Sequence, residues 1–406
     1  MLDGYHNNIL QAWAQQVKQR WRNATLVTPG GEVARDVLIE GDRFAAIIDP
    51  SESIGEDWQV VDAAGKILFP GIIDLLQHGL DVNLYNDVMP GCLAHSSDLL
   101  LRHGVTGFLP SISCLPPGVL EDVLRRLAAE GDAATGARVL GIHSEGPCFA
   151  SPGAHNPINI QKPSAALANS MLAAAGGRLA AVTLAPELPG AEDFIKTLKR
   201  HGVSIHLGHS QAAPDDVARY VSWGIDAVTH MYNVMPTLPP GEMGLHAFSL
   251  TDALLAERHL ALGVICDGIH VNPKLLQILA QLPPDRVFLE TDSNKYAGAA
   301  ETEFEFYPGY WVRSAPGKAV VDRNGGLAGS SLTSDEAMRN YVSMVGADLT
   351  QTARATSLVP ARVLGRDREI GSIEAGKLAD FTVLAPGNLE VEQTYVGGEC
   401  RYRRAA

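Results

Sequence analysis

The chain has 406 residues, of which 46% are apolar and 19% charged, a composition typical of globular proteins with room for one large domain and a smaller one. The formal net charge of −14 disfavours binding to nucleic acid or to an anionic membrane. The 5 cysteines are dispersed without a C-x-x-C pair, which argues against a disulfide framework and favours the reducing cytoplasm. No apolar run approaches the roughly 18 residues of a membrane-spanning helix.

The two ends of the chain are predicted to share a β domain, with a helix before it. Apolar residues recur at helical spacing from Ile9 through Trp13 to Trp21 and predict an amphipathic helix over residues 5–22, packed on this protein or on a subunit partner. The stretches ATLVTP, RDVLIE, FAAIID and WQVVDA then predict a small antiparallel sheet. Near the other end, DFTVLAP and LEVEQTYVGGE predict further strands.

The centre of the chain alternates between apolar strand candidates and helical patterns such as residues 116–131 and 214–224. The candidate strands are ILFPGIIDLL (67–76), TGFLPSI (106–112), RVLGIHSEG (138–146), LAAVTLAPE (179–187), VSIHLGHS (203–210), AVTHMYN (227–233), ALGVICDGI (261–269) and RVFLETDS (286–293). This alternation predicts an α/β fold, a (β/α)8 TIM barrel. A doubly wound open sheet is the alternative, but no glycine-rich nucleotide loop follows the first strand.

Most of these strands end at a residue type that can bind a metal ion. The residues at or just after the strand ends are His78, Glu145, His209, His230, Asp267, His270 and Asp292. Any one of them alone would more commonly be a hydrogen-bonded histidine or a helix cap. In a barrel, however, the ends of successive strands converge on one mouth.

The chemistry of a hydrolytic metal centre needs this set of residues. A catalytic zinc takes about three His or carboxylate ligands and leaves one position for water, whose pKa then falls near neutrality. Glu145, His209 and His230 could be these ligands. Asp292 is the natural base that accepts the proton of the water and returns it to a leaving amine.

The motifs PGIIDL, HSEGP, GAHNP, GHS, THMYNVMP, DGIHV, TD and LAGSSLT occur in the order seen in the amidohydrolase superfamily. The chain most resembles the N-acetylglucosamine-6-phosphate deacetylases. The resemblance implies a barrel with a β-sandwich from both chain ends, and hydrolysis of an N-acetyl amino sugar to acetate and an amine. The expected segments are 1–66 for the N-terminal helix and the first part of the sandwich, 67–367 for the metal-binding barrel and 368–406 for the rest of the sandwich.

The first strand departs from the common pattern of the superfamily. Members often end this strand with His-x-His, which supplies a second metal site, whereas the matching residues here are Leu76 and His78. Leucine cannot bind a metal, so the chain resembles the deacetylases that work with one metal, and we expect one zinc per chain. The same resemblance implies a substrate contact near the amide at His155 and sugar-phosphate contacts at Asn233 and His270. Val234 is a further expected substrate contact. His78 is expected to touch water or substrate, or only to support the site.

The region expected to hold a phosphate departs further from the pattern of the family. Where the family usually carries an arginine, this chain has Gly241 beside Glu242, so a bidentate phosphate clamp is missing. Lys295 could replace the lost charge. The acidic run from Glu301 to Glu305 is predicted to be a solvated face. We therefore expect a weaker preference for the 6-phosphate than is usual in the family.

Two other functions remain open from the sequence alone. One keeps the chemistry but changes the substrate to an unphosphorylated N-acyl sugar or another small amide. The other is an inactive homologue that serves as a scaffold, which the retention of Glu145, His209, His230 and Asp292 argues against. We expect a cytoplasmic homodimer that acts on a small molecule, with no nucleic acid or membrane partner.

Overall fold

The computed structural model of the protein describes residues 18–87, 90–236 and 247–405. Its largest sheet is a barrel of parallel strands, as the alternation of strands and helices predicted. In chain order the barrel strands are Ile72–Gln77, Val105–Ile112, Ile142–Glu145, Leu179–Leu184, Ser204–Leu207, Ala227–Val228, Ala261–Ile265 and Val287–Glu290. A parallel bridge between Gln77, at the end of the first strand, and Ser293, just after the last strand, nearly closes the barrel.

Helices lie between and after the barrel strands. They span Cys92–Leu100, Val119–Gly131, Ala165–Ala175, Ala191–Lys199, Val217–Ser222, Leu250–Ala256, Pro273–Leu279, Ser334–Asn340, Leu349–Ala353 and Val359–Val363. In Val119–Gly131 the buried residues Leu120, Val123, Leu124 and Leu127 lie on one helix face, the spacing expected for a helix that covers a sheet. None of the helices in the described ranges combines the length and apolar character needed to cross a bilayer.

Strands from both chain ends form a two-layer β-sandwich. One sheet contains Arg43–Ile48, Asp36–Glu40, Lys18–Arg22 and Gln59–Asp62 in spatial order; the other contains Glu399–Arg403, Val391–Val396, Phe381–Leu384, Ile67–Pro70, Thr25–Thr28 and Gly31–Val33. The prediction of an antiparallel sheet was wrong in part, because Lys18–Arg22 and Gln59–Asp62 pair in parallel. The predicted first strand is also two strands, of which Ile67–Pro70 belongs to the sandwich.

The helix predicted over residues 5–22 is wrong in its last turn. Lys18–Arg22 is a strand, while the rest of the predicted helix, including Trp13, lies outside the described residues. Trp21 is 2% exposed and meets the rings of Phe381 and Tyr395 edge-on, with centroids 5.2 and 5.1 Å away. Its apolar contact is therefore the core of the sandwich, because pairing with neighbouring strands outweighed the local helical spacing.

A small antiparallel sheet follows the eighth barrel strand and was not predicted. Its strands are Thr302–Tyr307, Tyr310–Ser314, Ala319–Asp322 and Leu327–Ser330, and we call it the inserted sheet. Its own core contains Phe304 and Val312, and Ala154 packs against that core. The acidic side chains of the run are exposed, as predicted, and Glu303 pairs with Arg323. The inserted sheet thus stands beside the barrel mouth.

Candidate active site

Glu145, the last residue of the third barrel strand, lies at the centre of the candidate site and is 2% exposed. Its Oε1 atom is 3.2 Å from Nε2 of His209 and 3.1 Å from Nε2 of His230, and the two imidazole nitrogens are 3.2 Å apart. The histidines follow the fifth and sixth strands, so the barrel brings three potential ligand atoms to one point. This geometry suits a divalent cation.

The protein orients His209 so that Nε2 can act as a ligand. The carbonyl oxygen of Ser151 lies 3.0 Å from Nδ1 of His209. Because a carbonyl only accepts, Nδ1 carries the proton and Nε2 presents its lone pair. The ring of Phe149 stacks on the imidazole with centroids 4.1 Å apart. Burial lowers the pKa of His209 to about 4, which keeps the imidazole neutral, as a ligand requires.

The second oxygen of Glu145 faces two further histidines. Oε2 lies 3.0 Å from Nε2 of His78 and 3.0 Å from Nε2 of His155. The backbone N–H of Cys114 donates to Nδ1 of His155 at 3.2 Å, so in the neutral ring Nε2 carries the proton and donates to Glu145. Burial alone would raise the pKa of Glu145, but the surrounding histidines outweigh burial and hold that pKa well below its ordinary value.

Other groupings of these side chains could also hold a cation. Glu145 with His155 and His209, and Glu145 with His78 and Asp292, each offer donor atoms within 4.8 Å of one another. The first grouping is disfavoured because Nε2 of His155 carries its proton. His78 lies between two carboxylates, 3.4 Å from Oδ1 of Asp292. The trio of Glu145, His209 and His230 therefore fits a metal best.

Asp292 follows the eighth barrel strand and is held from both sides. Its N–H donates to the carbonyl of Leu76 at 2.9 Å, and its own carbonyl accepts from the N–H of Ser330 at 2.8 Å. Gly329 has a positive φ of 71°, and a Cβ there would lie 2.8 Å from the carbonyl oxygen of Asp292. The glycine of the LAGSS motif thus lets the inserted sheet approach the strand end that presents the Asp292 carboxylate.

All the residues predicted for the site line one cavity of about 290 Å³ at the barrel mouth. They are His78, Glu145, His155, His209, His230, Asn233, Val234, His270 and Asp292. Leu76 is buried and does not line the cavity. The structure therefore brings the predicted residues together, and the role of each stays a prediction.

The outer part of the cavity carries groups suited to hydroxyl recognition. Nδ2 of Asn233 donates to the carbonyl of His270 at 3.1 Å, whereas the buried Oδ1 of Asn233 has no partner among the described residues. Nδ1 of His270 is 2.6 Å from Oδ2 of Asp267. Burial raises the pKa of Asp267, but its contacts with His270 and with the backbone N–H groups of Ile269 and His270 together outweigh burial and lower that pKa. Asn233 Oδ1 can accept a hydrogen bond from a ligand.

Several lining residues were missed by the sequence analysis. They are Ser113, Ala154, Ile265, Asn294, Phe306, Leu327, Ala328 and Gly329. Phe306 and Leu327 come from the inserted sheet, so an element read as a solvated loop forms a wall of the cavity. A signal was present, because Glu301 to Phe306 alternates polar and apolar residues with the period of a strand.

Lys295, suggested as a substitute for the missing arginine, pairs with an acidic residue outside the cavity. Nζ of Lys295 is 2.8 Å from Oδ2 of Asp87, and Lys295 does not line the cavity. Arg313 lies 3.6 Å from Glu301 on the outside of the inserted sheet. Gly241 and Glu242, which were expected near a phosphate, fall outside the described residues.

Comparisons of the sequence and of the structure with known proteins agree with one another. Residues 67–401 match the Amidohydrolase family. The chain is 31% identical over 392 residues to N-acetylglucosamine-6-phosphate deacetylase of Bos taurus, covering 94% of each chain. It is 33% identical over 382 residues to N-acetylgalactosamine-6-phosphate deacetylase of Escherichia coli O157:H7, covering 93% of this chain and 98% of that one. The solved N-acetylglucosamine-6-phosphate deacetylase of Pasteurella multocida superposes with a TM-score of 0.86 at 28% identity, over 95% of this chain and 100% of the other.

Proposed function

Because the chain belongs to the amidohydrolase family, we propose that it removes the acetyl group from an N-acetylated amino sugar. Family membership supports hydrolysis of a carbon–nitrogen bond, and the similar deacetylases support an amino sugar as the substrate class. The observation that carries the proposal is the convergence of Glu145, His209 and His230 in a cavity that Asp292 also lines.

We assign one divalent cation, zinc, to Glu145, His209 and His230. Two imidazole nitrogens and one carboxylate oxygen form a donor set that zinc prefers. The hydrogen bond that fixes the His209 tautomer and the buried negative charge of Glu145 support the fit. When bound, the cation polarises the amide carbonyl and lowers the pKa of water.

The side chains of the site supply the remaining chemistry. The Asp292 carboxylate accepts a proton from the attacking water as the water oxygen bonds to the amide carbon. Asp292 then returns this proton to the amide nitrogen, the carbon–nitrogen bond breaks, and acetate and a free amine are released. His78, 3.4 Å from the Asp292 carboxylate, orients that base. His155, whose Nδ1 accepts from the N–H of Cys114, is the residue that we propose contacts the substrate near its amide.

The test is a deacetylation screen combined with metal analysis. Zinc-loaded protein is incubated with free and 6-phosphorylated N-acetylglucosamine and N-acetylgalactosamine, and the released acetate and amine are quantified. We expect equal amounts of both products and about one metal per chain. Failure to hydrolyse any of these sugars would refute the proposal. Two tightly bound metals with a ligand from the first strand would refute the single-metal assignment.

Several finer features of the proposal have their own tests. The scaffold alternative predicts metal-free protein without turnover, which the intact ligand set argues against. Cytoplasmic location and a homodimer stay predictions, to be tested by fractionation and by light scattering. The division into 1–66, 67–367 and 368–406 also stays a prediction; limited proteolysis tests it.

A further inference from the structure

The cavity lacks a cationic side chain suited to a phosphate. Its lining includes the carboxylates of Glu145 and Asp292 but neither a lysine nor an arginine. All 32 lysine and arginine residues of the chain fall within the described ranges, because residues 1–17, 88–89, 237–246 and 406 contain neither type. No lysine or arginine of this chain therefore lines the cavity, and a phosphate dianion there would face carboxylates without a charge-assisted partner.

The histidines of the cavity do not supply the missing charge. His209 and His230 converge on Glu145, and His78 and His155 contact its other oxygen. Nδ1 of His270 is engaged by the Asp267 carboxylate at 2.6 Å. The net charge of −14 adds a repulsive field against anions.

The outer wall of the cavity suits an uncharged sugar instead. Phe306 is half-buried and Leu327 is 40% exposed, and both side chains come from the inserted sheet. Such a wall can cover the apolar C–H face of a sugar ring, but it offers no donor to a phosphate oxygen. The Oδ1 of Asn233, which has no partner within the described part of the chain, can accept a hydrogen bond from a sugar hydroxyl, whereas a phosphate dianion has no proton to donate to it.

We propose that the preferred substrate is an uncharged N-acetylated amino sugar, with a free hydroxyl where the substrates named for its relatives carry a phosphate. This inference rests on the proposed function and specifies its substrate class. The Asn233 carbonyl oxygen and the Phe306 and Leu327 side chains select the neutral sugar. The lack of a lysine or arginine in the cavity removes the usual advantage of the phosphorylated form.

The test compares kcat/KM for N-acetylglucosamine and N-acetylgalactosamine with kcat/KM for their 6-phosphates, using the full-length zinc-loaded protein. We expect the free sugar to be used at least as well as its phosphate. A higher kcat/KM for a 6-phosphate than for the corresponding free sugar would overturn the inference but leave the proposed function standing. Turnover of no sugar would overturn the proposed function and the inference with it, so the two failures can be distinguished.

A charge-introducing variant tests the physical cause. Leu327→Arg places a cation in the cavity wall, and Leu327→Gln is the matched uncharged control. Relative to the glutamine variant, we expect the arginine variant to gain about ten- to a hundredfold in kcat/KM for the 6-phosphate, the range of one charge-assisted hydrogen bond. We expect no comparable gain for the free sugar. An unchanged ratio between the two substrates would overturn the claim that missing charge sets the preference.

Discussion

The inner and outer ends of the cavity are built on different supports. The inner end consists of Glu145, His209, His230 and Asp292, which lie at or just after the ends of barrel strands. The strands that lead to Glu145, His209 and His230 have ladders on both sides, and the strand that leads to Asp292 has one. The outer wall includes Phe306 and Leu327 from the inserted sheet, which has a small core of its own. The residues proposed to carry out hydrolysis are thus tied to the barrel, while the residues proposed to select the sugar can change without moving the barrel.

The backbone φ angles also differ between the inner end and the inserted sheet. His209, His230 and Asp292 have positive φ angles of 53°, 33° and 48°, which cost non-glycine residues about 1–3 kcal/mol each. In the inserted sheet the positive φ angles fall on glycines, including Gly309 and Gly329. The inner end therefore holds its side chains on strained backbone positions, as preorganised chemistry requires, whereas the inserted sheet is built without comparable strain.

The largest expected effect follows from removing a proposed metal ligand at the inner end. Glu145→Gln removes the carboxylate charge between His209 and His230, and we expect metal affinity to fall by at least about a hundredfold, with turnover lost. Metal content after dialysis and acetate release measure the effect. The control is Glu192→Gln, since Glu192 is exposed on a helix. A variant that keeps its metal would show that the ligands lie elsewhere.

The next largest effect is a loss of turnover on removing the proposed base, Asp292. Asp292→Asn keeps the shape of the side chain but cannot accept a proton, so we expect kcat to fall by about 10²–10⁴-fold. Metal content should remain that of the parent protein, which separates loss of the base from loss of the metal. Asp193→Asn, at an exposed helix position, is the matched control. Near-normal turnover would assign the base to another residue.

A smaller effect, on stability, is expected from Asp74, a buried residue of the first barrel strand. Its carboxylate accepts from the N–H and hydroxyl of Thr291 and from the hydroxyl of Ser334. Burial raises the pKa of Asp74 to about 6, so its favourable contribution to stability is complete below its unfolded pKa and is lost as the pH rises through 6.

Asp74→Asn removes this titration. We therefore expect the parent protein to lose stability relative to the variant between pH 4 and pH 8. The difference between their free energies of unfolding should fall by up to about 3 kcal/mol, because each unit of pKa difference is worth about 1.36 kcal/mol. Urea unfolding at several pH values measures the difference, with Asp193→Asn as the control. A difference that does not change with pH would mean that Asp74 is not neutralised by burial.

The smallest effect is expected at the outer wall. Phe306→Ala removes an aromatic contact, and we expect KM for the free sugar to rise about two- to tenfold, the range of a contact of 0.5–1.5 kcal/mol. The value of kcat should change little, since Phe306 contacts none of the reacting groups in the proposed mechanism. Trp311→Ala is the control, because Trp311 is in the same sheet and does not line the cavity. A large fall in kcat would show that the two ends are not independent.

The sequence predicted which residues meet at the inner end, because their signals are local. Continuous apolar runs fix the barrel strands, and a polar residue at the end of each run marks the mouth, as Glu145 and Asp292 illustrate. The resemblance then selected these residues among other polar positions. The fold class followed from the same runs, and strands from the two chain ends pair in one sheet, as expected.

The sequence analysis was weaker where distant pairing decides the structure. Trp21 fits helical spacing, but the strand Lys18–Arg22 pairs with strands at Asp36–Glu40 and Gln59–Asp62, which local spacing cannot reveal. The charges of Glu301 to Glu305 obscured a strand whose alternate residues are apolar. Which side chain of that strand faces the cavity depends on how the inserted sheet packs, and no local pattern specifies it.

The position of the strand Ile67–Pro70 has a consequence for synthesis of the chain. This strand lies between Thr25–Thr28 and Phe381–Leu384, so one of its edges stays unpaired until nearly the whole chain has left the ribosome. Contacts of such large sequence separation form slowly, and an unpaired apolar strand edge is prone to aggregate. A nascent chain stalled before residue 381 should consequently depend on chaperones, even when its barrel strands have all been translated.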